Sequence, residues 1–416
     1  SNDAHWKNRP DSNTPFFSIF NFNQTHEGNF FSNWDDEEFL VPENAKIDIP
    51  PYLPQNNIGE RDLKKVYTRI VKLDEWIGKK IKELEDEGLL ENTIVFFYSD
   101  HGGPLPRQKR LLYDSGLKVP LVIRFPNGER AGKRDSRLVS FVDFPQTVLS
   151  LAGIKPPLFM QGQAFEGKYK SNVERKYIHG HADRFDESVD MIRAVRSKKF
   201  KYFKNFNPEK PYYLPLAFRE RLPSMQELLR MRDAGELDKY QSLWFRKSKP
   251  EEELFDTEND PHELNNIAND PKYAEILVEM RQECVDWMNT IDDKGLIKER
   301  DLIESFYPNR KARQTESPII EISEKDVSLT KVTEGSRLGY KYSSEKLPSK
   351  GWNHYNNPID LKPNDTLEII AHRIGYKSVL TKIYNGEKIS VEYPLSRIEI
   401  QDIRYSANRP KLPPME

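Results

Sequence analysis

The chain has one cysteine, Cys284, in 416 residues. That excludes an internal disulfide and any metal knot built from several thiolates, and it leaves the redox compartment open. Long hydrophobic runs are missing as well. The apolar stretches fall well short of the roughly 20 residues that cross a bilayer, so no membrane-spanning segment is expected. The opening SNDAHWKNRP has neither the basic end nor the apolar middle of a signal peptide. Neither charge is in large excess, with 64 Lys and Arg against 66 Asp and Glu. This argues against a nucleic-acid binder or a membrane-surface protein that works through a basic field. At this length the chain exceeds one ordinary core, which predicts two or three domains.

What is present reads as alternating elements. The apolar run Phe16 to Phe22 predicts an interior strand, followed by the polar residues Gln24, Thr25 and His26. Leu63, Val66, Ile70, Leu73, Ile77, Ile81 and Leu84 recur at spacings of three and four, which predicts a helix over Arg61 to Glu87 with a buried stripe and Gly88 as its C-terminal cap. Buried strands are expected at Thr93 to Tyr98 and Val119 to Phe125, parts of a doubly wound unit. A short helix is expected from Asp143, its N-cap, to Gly153. The texture then changes. KYIHGHA, DMIRAVRS and KFKYFKNF predict antiparallel strands, Pro208 to Lys249 a long excursion of helices and loops, and Tyr273 to Met288 a closing helix. TLEIIAHR, KISVEY and RIEIQDIRY, with a turn at Asn385-Gly386, predict a small β-sandwich from about Ser317 onward.

One stretch asks for chemistry. In FFYSDHGG, Asp100 and His101 follow immediately on the apolar Ile94 to Phe97. In open α/β sheets ligands gather just past the carboxyl ends of such strands. Asp100 is either a cap for the next turn or a hard carboxylate for a calcium- or magnesium-type ion. His101 is its neighbour or its partner. Lys109, flanked by Arg107 and Arg110, reads equally as surface charge or anion contact. His26 leaves its own apolar run as His101 does. HGHADRFDES, with His179, His181, Asp183 and Arg184, is either a polar turn or a cluster that reads sugar hydroxyls and a carboxylate. It has no third ligand at zinc spacing.

NFNQTHE, YSDHGGPLPRQKRLLYDSGLKVPLVIRFP, DMIRAVRSKKFKYFKNF and ELFDTENDPHELNNIA occur in this order over roughly the first 300 residues. Together they resemble a type I sulfatase of the alkaline-phosphatase superfamily. The tail, with GSRLGYKYSSEKLPSKGWNHYNNPIDL, more faintly resembles the β-sandwich that closes chitobiases and hexosaminidases. The resemblance implies an α/β fold: the remainder of a doubly wound alkaline-phosphatase-like sheet (residues 1–175), an α+β subdomain with antiparallel strands (176–312) and a β-sandwich (313–416).

It also implies site roles. Asp100 and His101 would be ligands of a divalent cation, Ca2+ or Mg2+, and Lys109 would contact the sulfate. His26 would serve the leaving group, and His179, His181, Asp183, Arg184 and Arg107 would line the substrate cleft. The implied partner is a sulfated carbohydrate, and the implied location is a periplasm or the cell exterior. One family feature is absent. The formylglycine nucleophile arises from a Cys/Ser-x-Pro/Ala-x-Arg signature, which does not occur here, and Cys284 is followed by VDWM. The expectation is therefore that the nucleophile, and the paired aspartates completing the metal shell, precede residue 1, and that this polypeptide alone is inactive. A phosphodiester or phosphonate hydrolase of the same superfamily, or a non-catalytic carbohydrate-binding fragment, are the alternatives.

Overall fold

The computed structural model describes residues 5–32, 34, 38–42, 44–344 and 352–392. The chain divides into two compact units, Ser1–Asp293 and Lys294–Glu416.

In the first unit, helix α1 spans Asn57–Asp86. Asn56 starts it, its side chain accepting from the backbone N–H of Ile58 and Gly59. Gly88 stops it at φ +66, a left-handed position that glycine adopts without a Cβ clash. The expected apolar stripe is core only at its ends. Leu63 and Leu84 are buried, while Ile70 is 48% exposed. Strands β1 (Val95–Tyr98) and β2 (Leu121–Arg124) follow, with the short helix α2 (Asp114–Leu117) between them. They pair antiparallel, Val95 opposite Arg124, and their residues are half-buried or exposed. The doubly wound unit expected here is thus corrected: the connection, residues 99–120, folds as a loop holding only the one-turn α2, without the crossover helix that usually joins parallel strands. The strand expected at Phe16 to Phe22 is a correction. This segment runs without a ladder partner among the described residues, with Phe17 and Ile19 exposed. Apolar composition gives a segment its strand preference, but a strand exists only where a neighbour supplies the backbone hydrogen bonds.

Helix α3 spans Phe144–Leu151, with proline in its first turn. Asp143 does not cap it as expected. Its carboxylate instead accepts from the Ser140 and Gln163 backbone N–H groups and pairs with Arg175.

The three antiparallel strands expected from the middle of the chain are present, and a fourth that was not expected joins them, in the order β3 (Ile178–Phe185), β4 (Ser188–Arg196), β5 (Phe200–Asn205) and β6 (Glu252–Asp256). Helix α4 (Pro223–Ala234) lies in the excursion between β5 and β6, and α5 (Ala274–Thr290) follows β6. Alternation along the strands sorts the side chains onto two faces. Val195, Tyr202 and Leu254 pack on Met280 and Cys284 of α5. Ala194, Phe203 and Phe255 pack on Leu111, Leu112 and Tyr113, and the same core takes in Leu222, Met225 and Leu228. The sheet therefore has α5 on one face and the segment after Lys109 on the other.

In the second unit, α6 (Glu299–Phe306) precedes, among the described residues, eight strands: β7 (Ile319–Ile322), β8 (Asp326–Thr330), β9 (Arg337–Tyr342), β10 (Asn353–His354), β11 (Ile359–Asp360), β12 (Thr366–His372), β13 (Val379–Tyr384) and β14 (Glu387–Glu392). They form a five-stranded sheet, β10-β9-β12-β13-β14, and a three-stranded sheet, β11-β8-β7. Val327, Leu329, Leu338, Leu367, Ile369 and Val379 fill one core. The Asn385-Gly386 turn has positive φ at both residues, as a tight hairpin requires. The strand expected in RIEIQDIRY lies outside the described residues.

Candidate functional site

The residues after β1 fold into a compact loop whose glycines are required by contact. The Gly102 N–H donates to Gly116 O at 2.8 Å, the Gly103 N–H to Ser115 O at 3.1 Å, and the Lys109 N–H back to Gly103 O at 3.1 Å. A Cβ on Gly102 would stand 2.0 Å from Ser115 O, and one on Gly103 1.9 Å from the Gln108 side chain. The doublet in SDHGG thus lets Asp100-His101 and Lys109 share one rigid loop. On the sheet side the loop is anchored by ions. Lys201 of β5 reaches Asp114 (2.6 Å), Glu263 (3.0 Å) and the Leu112 carbonyl (2.8 Å), and Arg196 of β4 reaches Asp114 at 3.1 Å. Burial pushes the Asp114 carboxyl up, but Lys201 and Arg196 outweigh it and pull it down to about 2. Glu263, more deeply buried, stays raised despite the same lysine. The LFDTENDPHEL segment therefore serves the loop: Arg107 donates to the His262 and Glu263 carbonyls, both at 2.8 Å, and the Asp114 N–H donates to the Glu263 carboxylate at 2.6 Å.

The other side of the site comes from the segment ending in QTHE. His26 is exposed, and its Nε2 lies 3.3 Å from Lys109 Nζ. Its Nδ1 accepts the Gly28 backbone N–H at 3.2 Å, which fixes the ring with Nε2 turned toward Lys109. Glu27, only 1% exposed, lies under this pair. It contacts Lys109 at 3.0 Å and meets Arg110 through both carboxylate oxygens, each at 2.9 Å. Burial pushes its carboxyl up; Arg110 and Lys109 more than offset this and hold it below the usual range. Arg110 continues to Asp186 at 3.0 Å, in the turn between β3 and β4. Both Arg107 and Arg110 have left-handed backbone, φ 62 and 76, which costs an ordinary side chain ~1–2 kcal/mol each. Their buried or paired guanidinium groups hold the bends that frame Lys109.

Comparison with known proteins gives this arrangement a family. The family described as Sulfatase matches residues 5–154, and that described as N-sulphoglucosamine sulphohydrolase, C-terminal, matches residues 107–215. An ulvan-active sulfatase of Formosa agariphila is 46% identical over 409 residues, covering 90% of this chain and 68% of that protein. The chain belongs to the sulfatase family. It is a type I sulfatase of the alkaline-phosphatase superfamily. The human N-sulphoglucosamine sulphohydrolase is 27% identical over 251 residues, covering 58% of this sulfatase and 50% of that protein. A solved structure of a protein in complex with its substrate D-glucosamine-2-N,6-O-disulfate has 25% identity and a TM-score of 0.43, covering 59% of this chain and 45% of that one. The chain thus spans about two thirds of the Formosa protein and half of the human one.

Sulfatases use a divalent cation, for which Asp100 and His101 are the expected ligands. Asp100 has an 86% exposed carboxylate. The His101 Nδ1 lies 2.8 Å from the Gly102 carbonyl, to which the neutral ring donates; this leaves the Nε2 lone pair free, 3.8 Å from Asp100 Oδ1. Asp100 also accepts the His101 N–H at 3.1 Å, so it does part of the capping that the alternative reading gave it. Among the described residues no group of three or more His, Cys, Asp or Glu is assembled to hold a metal. Calcium takes six to eight oxygen-rich ligands, more than Asp100 and His101 offer.

The expected substrate residues are mostly elsewhere. Arg107 is 3% exposed and sandwiched between Tyr52 and Tyr113, with its guanidinium carbon 4.8 and 3.6 Å from their ring centroids. It braces the loop and does not line a cleft. His179 stacks on Trp287 of α5 at 4.8 Å and meets Glu283 at 2.9 Å, and Asp183 pairs with buried Arg193 at 2.8 Å. With exposed His181 they occupy the α5 face of β3, opposite the face carrying Gly180 and Ala182 that packs toward Leu112. Alternation along the strand gathers these three on one face, where His179 and Asp183 are engaged by Glu283, Trp287 and Arg193. Arg184 is on the other parity near the hairpin tip, donating to the Asp186 carbonyl at 3.2 Å. Sequence reasoning passed over Glu27, although it stands next to His26 in QTHE, because an acid in a polar stretch reads as solvated charge. Phe218 was missed as well; its ring centroid is 6.1 Å from that of His26, and nothing in its local sequence signals this.

Proposed function

We propose that the intact enzyme hydrolyses a sulfate ester of a carbohydrate. The observation that carries this reading is the meeting of His26 Nε2 and Lys109 Nζ at 3.3 Å, on the loop that also presents Asp100 and His101. Sulfate-ester hydrolysis needs charge neutralisation on the sulfuryl oxygens and a proton for the departing alkoxide. Lys109 supplies a cation, held in place by Glu27. His26, oriented by the Gly28 N–H on its Nδ1, presents Nε2 for proton transfer to the departing oxygen. A cation bound in part by Asp100 and His101, Ca2+ in this proposal, would add Lewis-acid neutralisation of the same oxygens. The relatives' named substrates, ulvan and sulphoglucosamine, support a sulfated glycan, and a periplasmic or extracellular site of action accords with such polymers.

The nucleophile is not supplied by this polypeptide, which contains no Cys/Ser-x-Pro/Ala-x-Arg sequence, so it is expected not to turn over alone. In an assay of the full-length enzyme, sulfate esters should be cleaved in preference to matched phosphate esters, and Lys109→Ala should lower kcat/KM by roughly 100-fold or more, as for loss of one charge-stabilising donor. A preference for phosphate would overturn the class. Aryl-sulfate hydrolysis by the 416-residue chain itself, abolished by Lys109→Ala, would overturn its inactivity.

A further inference from the structure

We propose that Phe218 and Arg221 form a subsite that reads a second anionic group on the substrate, a carboxylate or another sulfate close to the scissile ester. The inference rests on the sulfatase reading above and extends it to the charge pattern of the sugar.

Phe218 precedes a single 3-10 turn, Arg219–Arg221. Leu216 and Leu222, both fully buried, pin the turn at its two ends. Arg219 pins it from below: it is 4% exposed, donates to the Leu214 carbonyl at 2.6 Å and lies 4.7 Å from the Trp244 ring centroid. The turn is therefore a fixed platform. The half-buried ring of Phe218 lies 6.1 Å from His26 and 4.9 Å from Phe31, and the guanidinium carbons of Arg110 and Arg221 both lie 6.0 Å from its centroid. An aromatic ring beside the proton donor suits the apolar face of a pyranose, with charged groups around it to fix orientation.

The charges around this ring leave one cation over. Glu27 is taken by Lys109 and Arg110, and Asp186 by Arg110. Glu187 accepts the Ala217 N–H at 2.8 Å, and Glu220 accepts the Tyr213 hydroxyl at 2.5 Å and the Leu216 N–H at 3.2 Å. Arg221 is exposed, with its guanidinium 4.3 Å above the Phe31 ring, and among the described residues no carboxylate pairs with it. A guanidinium stacked on a ring keeps its N–H groups for bidentate contact with carboxylate or sulfate, and its entropy of ordering is already spent. An arginine that only packed on Phe31 would stabilise the fold and leave substrate discrimination alone, which sets the test.

The test uses full-length enzyme and sulfated disaccharides that differ in the second unit: neutral, carboxylated, the methyl ester of that carboxylate, or sulfated. Arg221→Met is expected to lower the kcat/KM ratio of anionic to neutral members about ten- to a hundredfold, the loss of one charge-assisted contact. The methyl ester should follow the neutral member, and Arg221→Lys, which keeps charge but not the fork, should fall between. Whichever arm responds, carboxylate or sulfate, names the group read. An unchanged ratio in both variants overturns the proposal. If the wild-type enzyme cleaves none of the set, the sulfatase reading fails separately. Titration calorimetry of the 416-residue chain with the carboxylated and neutral sugars then decides the subsite. Tighter binding of the carboxylated sugar that Arg221→Met removes supports it, and equal or absent binding overturns it.

Discussion

Glu27 concentrates the site's electrostatics in one side chain. A carboxylate this buried is tolerated only when paired, and here both of its oxygens face cations, with Lys109 and Arg110 sharing one anion. Its effect on chemistry runs through Lys109, so it is a positioning residue. Glu27→Gln keeps the shape and removes the charge. In the full-length enzyme it should lower kcat roughly ten- to a hundredfold, the range found when a group orienting a site ligand is lost. Glu27→Asp should restore part of that, as steady-state kinetics would report. Equal kcat in all three proteins would show that Lys109 finds its place without Glu27.

The loop from Asp100 to Leu117 acts as a unit because both of its faces are committed. Glycine-to-backbone contacts close it internally, while Leu112, Tyr113 and the Lys201 cluster dock it on the sheet. Asp114 gives this docking a pH dependence with a definite sign. Its carboxyl drops from an ordinary 3.8 to about 2 in the folded chain. A depressed acid adds stability that is fully present above the ordinary value and lost as pH falls through the folded one. The contribution is about 2 kcal/mol. The thermal midpoint of the wild type should therefore fall between pH 4 and about pH 2. Asp114→Asn, which lacks this contribution at every pH, should start lower and fall less over that window. Parallel curves for the two proteins would remove Asp114 from the acid transition.

At the scale of the molecule, each unit has its own core. Leu254, Met280 and their neighbours fill one side of the first unit's sheet, and Ile369, Val327 and Leu367 fill the sandwich of the second. Ile369→Ala should cost about 2–5 kcal/mol in the sandwich. Hydrogen exchange should then rise across β9, β12 and β13, while the amides of Gly102 and Lys109 keep their protection. Loss of protection at those two amides would mean that the units unfold as one.

Elements with a strong local signature were legible without a fold. The three-and-four spacing of α1, the β-prone pieces of β3 to β5, the alternation of β12, and the Asn385-Gly386 turn each arise from forces acting within a few residues. Asp100, His101, Lys109 and His26 were singled out by motif resemblance, and the fold sets His26 beside Lys109 on the loop that holds the other two. Tertiary structure alone decided which polar groups share a space. It buried Arg107 beneath the loop, turned His179, His181 and Asp183 to the α5 face, left Phe16 to Phe22 without a ladder partner among the described residues, and brought Glu27 and Phe218 to His26. The chain fixes a side chain's type and its place in a local period. Where that side chain points, and which distant charge it meets, depends on strand partners and burial, which belong to the folded whole.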